Sequence, residues 1–364
     1  MKFIDEFRDA GLAQKLAHRI AAISTRPARL MEFCGGHTVA IMRNGIRQLL
    51  PPNIEMLSGP GCPVCVTANA DIDKAIALAA LPDVIITTFG DMLKVPGSYS
   101  SLQKARAAGS DIRVVYSTQD ALQIAADNPR RPVIFLGIGF ETTAPTVAAA
   151  VLQADLKNLR NFYVLCLLKT TPPPMKALLD LGEVKLNGIV CPGHVSSIIG
   201  TKPYETYARN YGIACVVAGF EPVDILQAVE MLIAQIESGK PDVEIAYRRG
   251  VRPEGNPRAL ELMRNVFEAS AADWRGIGTI PGSGLKLKKE YATFDAALEF
   301  EVEPPPAREA PGCRCGEVLR GVVRPPQCGL FRKVCTPENP IGPCMVSSEG
   351  TCAAYYQFGG MDGR

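Results

Sequence analysis

The sequence predicts an α/β fold made of two similar parallel-sheet α/β domains from an internal duplication, plus a loop-rich C-terminal domain dense in cysteine. Three observations predict it. Short apolar runs alternate with helical stretches from about residue 29 to 240. Those runs form two ordered sets of four. Beyond residue 240 the composition shifts to Pro, Gly and Cys, and six of the twelve cysteines crowd the last 52 residues.

The apolar runs are Leu30–Cys34, Ile54–Leu57, Val84–Ile86, Val114–Tyr116, Val133–Leu136, Tyr163–Leu168, Gly188–Val190 and Ala214–Ala218. Helical segments such as Ala70–Ala80, Ala121–Ala126, Thr146–Leu156 and Val223–Ile236 lie between them. Short buried strands alternating with helices indicate parallel βαβ units. Val84–Ile86, which leads to a Gly loop ending Pro96-Gly97-Ser98, resembles Gly188–Val190, which leads to Gly193-His194-Val195-Ser196. Val114–Tyr116 before Asp120-Ala121-Leu122-Gln123 likewise resembles Val216–Ala218 before Asp224-Ile225-Leu226-Gln227. An offset of about 100 residues suits a duplication. The expected domains are residues 29–128, residues 129–240, and residues 1–28 with 241–364. Pro257–Ser270 reads as helix, and Glu303-Pro304-Pro305-Pro306 as a stiff connector.

Composition narrows the function. The chain has 364 residues, 47% hydrophobic and 21% charged, with a net charge of +2. Nothing in that balance points to nucleic acid or to an anionic membrane. Met1–Ile23 mixes charges with a helical apolar stripe, unlike a signal peptide, and no apolar run nears the ~20 residues that span a bilayer. A cytoplasmic protein is expected. Twelve cysteines in such a protein indicate metal binding or redox work rather than disulfides.

The tail cysteines are Cys313, Cys315, Cys328, Cys335, Cys344 and Cys352. A [4Fe–4S] cluster needs four thiolates on a backbone able to wrap it, and Gly and Pro surround these six. Zinc sites usually show two short Cys-x₂₋₄-Cys knuckles, and this tail has none. We assign Cys313, Cys328, Cys335 and Cys352 as cluster ligands. Cys315 and Cys344 are left over, as spares or as a dithiol beside the cluster.

Two further constellations lie near the N-terminus. Ser58-Gly59-Pro60-Gly61-Cys62-Pro63-Val64-Cys65 follows a strand and opens a helix. Backbone N–H groups at a helix start stabilise a thiolate, so Cys62 and Cys65 read as a redox pair, or else as half of a zinc site. Met31-Glu32-Phe33-Cys34-Gly35-Gly36-His37-Thr38 ends the first strand, where ligands of parallel sheets bind. Cys34 and His37 can face one metal there; the plainer reading is a buried thiol and a satisfied imidazole. His194 occupies a similar loop, and His18 reads as a helix-face residue. Asp91, Glu141 and Glu221 either line a cleft or cap helices. Gly137-x-Gly139 lacks the third glycine of a dinucleotide turn, and no P-loop is present. Cys166, Cys191 and Cys215 sit in or beside apolar runs as core residues.

Together these segments resemble the hydrogenase maturation protein HypD family across essentially the whole chain. The resemblance rests on Glu32-Phe33-Cys34-Gly35-Gly36-His37-Thr38, Gly59–Cys65, Thr87-Thr88-Phe89-Gly90-Asp91-Met92, Gly139-Phe140-Glu141-Thr142-Thr143, Gly193-His194-Val195, Gly219-Phe220-Glu221-Pro222, Cys335-Thr336-Pro337-Glu338 and Gly342–Ser347. Val39 departs from it, standing where another histidine is common. The resemblance implies a role in building the iron centre of [NiFe] hydrogenases, which carries two cyanides and one carbon monoxide. It implies a small HypC-type chaperone partner and a HypE-type cyanide donor. Cys34 would ligate that low-spin iron with a partner cysteine, His37 would lie nearby, Cys62 and Cys65 would be a redox pair, and the tail cluster would supply electrons. The expected role is an assembly scaffold with redox capability rather than a turnover enzyme. An iron–sulfur disulfide reductase acting on a protein partner is the alternative, and a binding module with structural zinc a third reading.

Overall fold

The computed structural model describes residues 5–359. Its core is two parallel sheets. Their strands are β1 (Ala28–Glu32), β2 (Ile54–Ser58), β3 (Ile85–Thr88), β4 (Asp111–Val114), β5 (Val133–Gly139), β6 (Phe162–Leu168), β7 (Gly188–Pro192), β8 (Ala214–Ala218) and β9 (Val243–Ile245). The first sheet has the order β2-β1-β7-β8-β9 and the second the order β4-β3-β5-β6. Every pairing within them is parallel. Strands β5, β7 and β8 are buried along their whole length, which is why they read as unbroken apolar runs.

Sheet membership corrects the expected domain boundaries. Strands β1 and β2 join β7 and β8, while β3 and β4 join β5 and β6. Residues 29–128 therefore supply strands to both sheets, and so do residues 129–240. The two sheets nevertheless share one order. Numbering strands within each half, both sheets run second, first, third, fourth, with the first pair taken from one half and the last pair from the other. The edge strand β9 extends the first sheet alone. Spacing along the chain shows how many units there are, but not which partner each strand's backbone finds.

Local chemistry delimits the helices between strands. Helix Thr118–Asp127 starts at a capping box in which Ser117 and Asp120 satisfy each other's backbone N–H groups. Helix Pro222–Ser238 has Pro at its first turn, a Glu221/Asp224 capping box and Gly239 at φ 66° as its stop. Helix Ala10–Ile23 lays Ala13, Leu16 and Ile20 on Leu226, Val229 and Ile233. Residues 10–23 thus cover the first sheet and are not part of the tail unit.

The segment Pro257–Ser270 also needs correction. The helix ends at Val266, and β10 (Phe267–Trp274) pairs antiparallel with β11 (Gly278–Leu287). Phe267 and Leu287 close over Val164 and Leu168 of β6, so the hairpin covers the second sheet. The run Glu268-Ala269-Ser270-Ala271-Ala272 suits a helix by composition, and tertiary packing overrides that preference.

Beyond residue 300 only short helices form, among them Cys315–Leu319 and Thr351–Phe358. The last helix docks on helix Gly35–Arg43 through Met42, Ala354 and Tyr355. Arg47 lies over the Tyr355 ring at 4.9 Å and Arg43 over Phe358 at 5.5 Å. That docking brings the tail to the C-terminal edge of the first sheet. Among the described residues no helix is long and apolar enough to cross a membrane.

Candidate functional site

The site is built on the loops after β1 and β2. Strand β1 ends in Glu32, whose side chain is buried and turns back under its own loop. Its carboxylate accepts from the Cys34 N–H at 2.9 Å and from the Thr38 hydroxyl. Burial pushes Glu32 up to about 8 against those donors and Ser58. Cys34 then opens helix Gly35–Arg43. Burial, reinforced by the Glu349 and Glu32 carboxyls, pushes the Cys34 thiol up to about 12, despite the Gly36 and His37 N–H groups.

The loop after β2 lies directly against this turn. Gly59 N–H donates to Glu32 O at 2.8 Å, and Gly35 N–H to Gly61 O at 3.0 Å. A Cβ on Gly61 would lie 2.2 Å from the Cys34 nitrogen, so the close approach requires glycine. Cys62 starts the short helix Pro63–Val66, and its sulfur accepts from the Cys65 N–H at 3.4 Å.

Cys65 faces the tail. Its sulfur lies 3.8 Å from Pro343 O and in hydrogen-bonding contact with Cys344. Cys344 meets Cys315 with the sulfurs 2.7 Å apart, and it also contacts Cys352. Burial opposes charge on Cys65, but the Cys344 and Cys62 thiols and the Arg275 cation outweigh it and bring Cys65 down to about 5. Burial and the neighbouring Cys65 push Cys62 upward. The pair is thus split, with Cys65 the more acidic thiol.

All six tail cysteines line one small cavity with Val318, Leu330, Phe331 and Met345. Among the described residues, no group of three or more His, Cys, Asp or Glu is arranged around a single metal ion. A four-iron cluster takes one thiolate per iron at its corners, so its ligands surround a volume rather than meet at a point. A greasy cavity ringed by thiols has that donor chemistry. Burial, then crowding by Cys315, Cys352 and Cys328, pushes Cys313 up to about 12, a cost that a cationic iron–sulfur core would offset.

The remaining candidates fall as follows. His37 is buried, with Nε2 3.3 Å from Ala218 O and Nδ1 unpartnered. Burial brings it down to about 4. It stacks on Phe220 at 4.7 Å, and His194 stacks on the same ring at 3.9 Å. Glu141 accepts from Thr171 N–H at 2.8 Å and its hydroxyl at 2.7 Å, tying β5 to helix Pro172–Leu181. Glu221 caps its helix and pairs with Arg8 at 2.6 Å. The Cys166 sulfur is 3.0 Å from Leu285 O, while Cys191 and Cys215 are buried in β7 and β8. Sequence reasoning gave no roles to Glu32, Phe220, Arg275 or Glu349. Phe220 stands in the quoted Gly219-Phe220-Glu221-Pro222 motif, which was the available signal for it.

The loops of the first sheet thus bring Cys65 against the tail cysteines, and comparison with known proteins finds similar sequences. Residues 11–359 match the family model HypD, described as the hydrogenase formation hypA family. The chain belongs to the HypD family. It is 50% identical to hydrogenase maturation factor HypD2 of Bradyrhizobium diazoefficiens, over 99% of this chain and 97% of the relative. It is 48% identical to HypD of Cupriavidus necator, with 99% and 97% covered. It is 44% identical to HypD of Escherichia coli, with 98% of each covered. The family's end-to-end match spans both sheets and the tail, so the whole Cys34-to-Cys352 arrangement lies within it.

Proposed function

We propose that this chain acts in [NiFe] hydrogenase maturation, as a redox-capable scaffold on which an Fe(CN)₂CO centre is assembled. The observation that carries the reading is the packing of the Cys34 loop against the loop that bears Cys62 and Cys65, with Cys65 in turn interacting with Cys344 of the tail cavity. The names of the HypD relatives support the maturation role. The partners would be a HypC-type chaperone and a HypE-type cyanide donor, in the cytoplasm. The matching strand order of the two sheets supports a duplication in which the halves exchanged strand pairs.

In this reading the iron is cargo. Cys34 Sγ would hold it, since soft thiolate suits low-spin iron. A thiol pushed to about 12 keeps its proton at neutral pH, so loading the iron must displace that proton. Cys313, Cys328, Cys335 and Cys352 would hold a [4Fe–4S] cluster, which when bound supplies single electrons. The Cys65 thiolate is placed to attack Cys344 of a Cys315–Cys344 disulfide. That forms a Cys65–Cys344 bond and releases Cys315 as thiolate. Cys62 then attacks Cys65 and releases Cys344, leaving one disulfide and one dithiol, and the exchange runs equally in reverse.

The test is anaerobic iron and sulfide analysis with Mössbauer spectroscopy on wild type and Cys34→Ala, each purified with the small partner. About four irons with four sulfides, plus one low-spin iron lost in the variant, is the expected result. A cluster without the extra iron in either sample would favour the second reading, a disulfide reductase acting on a protein partner. The contact between Cys65 and the Cys315/Cys344 pair suits that reading too. Multiple turnover of a generic disulfide would support it.

A further inference from the structure

A further cavity lies beside the turn that follows the Cys62/Cys65 helix. It encloses about 220 Å³ between Asn69, the Gly97-Ser98 turn, Arg275 and the Arg308–Pro311 segment. That volume is smaller than a drug-sized or nucleotide pocket. Arg275 is 4% exposed. Its Nε donates to Thr67 O at 3.1 Å and its Nη1 to Glu309 at 2.9 Å, but Nη2 is buried with no partner among the described residues. Asn69 is 6% exposed. Its Nδ2 donates to Arg308 O at 2.6 Å, which fixes the amide so that Oδ1 is the orphan. A buried donor and a buried acceptor left unmet on two residues that line one cavity are costly in the free protein and mark the chemistry of its occupant.

Two more features favour an anion. Asn69 is the first residue of helix Asn69–Ala79, whose N-cap, Ala68, offers no side-chain acceptor, so the helix opens uncapped here. Arg308, bonded to Ser98 O at 3.2 Å and lying over the Tyr99 ring at 4.2 Å, is a second cation on the wall. The Glu309 carboxylate opposes binding, but it is largely exposed and screened.

We propose that this cavity binds a small protonated oxyanion, of which hydrogen phosphate is the type: an oxygen accepts from Arg275 Nη2 and a P–OH group donates to Asn69 Oδ1. Both partners are needed, because an oxyanion without a proton sets a lone pair against the Asn69 carbonyl. The site is distinct from the thiol series. It touches that series at three points: Arg275 binds the Val66-Thr67 backbone through its N–H and Nε, its cation acts on Cys65, and Ile341 on the cavity wall donates its N–H to the Cys335 sulfur at 3.4 Å.

Calorimetric titration of the full chain with inorganic phosphate and with sulfate, at matched ionic strength near neutral pH, tests this. Saturable one-site binding of phosphate, with sulfate at least about tenfold weaker, is expected. Asn69→Asp and Arg275→Lys, each checked for folding by circular dichroism, should weaken phosphate by about tenfold or more, and Glu309→Gln should tighten it. No saturable phosphate binding, equal binding of sulfate, or binding unchanged in folded Asn69→Asp would each overturn the proposal. The two-anion comparison needs no variant, so a failure of Arg275→Lys to fold leaves the test standing.

Discussion

Glu32 and His37 flank Cys34, and both are buried in their neutral forms. Glu32 is raised to about 8, so its contribution to stability is complete below the ordinary carboxyl range and is lost as pH rises through about 8. His37 is lowered to about 4, so its contribution is complete above the ordinary imidazole range and is lost as pH falls through about 4. Stability should therefore fall on both flanks. Glu32→Gln, which stays neutral, should remove the loss of stability that sets in above the ordinary carboxyl range and is complete by about pH 8. Thermal melts across pH check this, and an unaltered alkaline slope would show that Glu32 is not the titrating group. Cys191→Ala should cost only about 1 kcal/mol, read by urea unfolding, because the thiol acts there as a small apolar group. The Cys62/Cys65 pair was legible in the sequence because its spacing is local. Glu32 was not, since a carboxylate at a strand end gives no sign that it folds back under the next loop.

At the scale of elements, two glycine-bearing loops and one docked tail make the site. Gly61 lets the loop after β2 reach the Cys34 backbone, and Gly61→Ala must push the two apart. A loss of roughly 1–3 kcal/mol is expected, with faster alkylation of Cys34 as the loop lifts. Unchanged stability and alkylation would mean the loops do not pack as described. The tail has little regular structure and depends on its docking and on whatever its thiols bind. Cys335→Ser should bleach the broad visible absorbance of anaerobically purified protein and make residues after about 310 protease-sensitive, while the two sheets keep their far-ultraviolet signal. Within Pro257–Ser270 only Phe267–Ser270, the start of the hairpin's first strand, departs from the expected helix, because its composition favours helix by propensity and the packing of Phe267 and Leu287 with Val164 and Leu168 decides otherwise.

At the scale of the molecule, the halves are interleaved. Strand β1 is hydrogen-bonded to β2 on one side and to β7 on the other, 156 residues further along the chain by the Glu32–Gly188 interval. Residues 1–128 expressed alone would carry β1 and β2 without β7 and β8, and β3 and β4 without β5 and β6. They should be unfolded by circular dichroism. Co-expression with residues 129–364 should restore a soluble complex. A cooperatively folded 1–128 fragment would contradict the interleaving.

The sequence by itself determined the α/β class, eight of the nine parallel strands, the grouping of the cysteines and, through ordered motifs, the family. These are properties of local periodicity and spacing, which short-range sterics and hydrophobic patterning enforce. Tertiary structure alone decided which strands share a sheet, that the last helix sits on the Cys34 helix, and that Cys65 meets Cys344. Each of those depends on contacts between residues far apart in the chain, where burial and backbone pairing choose among partners that look alike in one dimension.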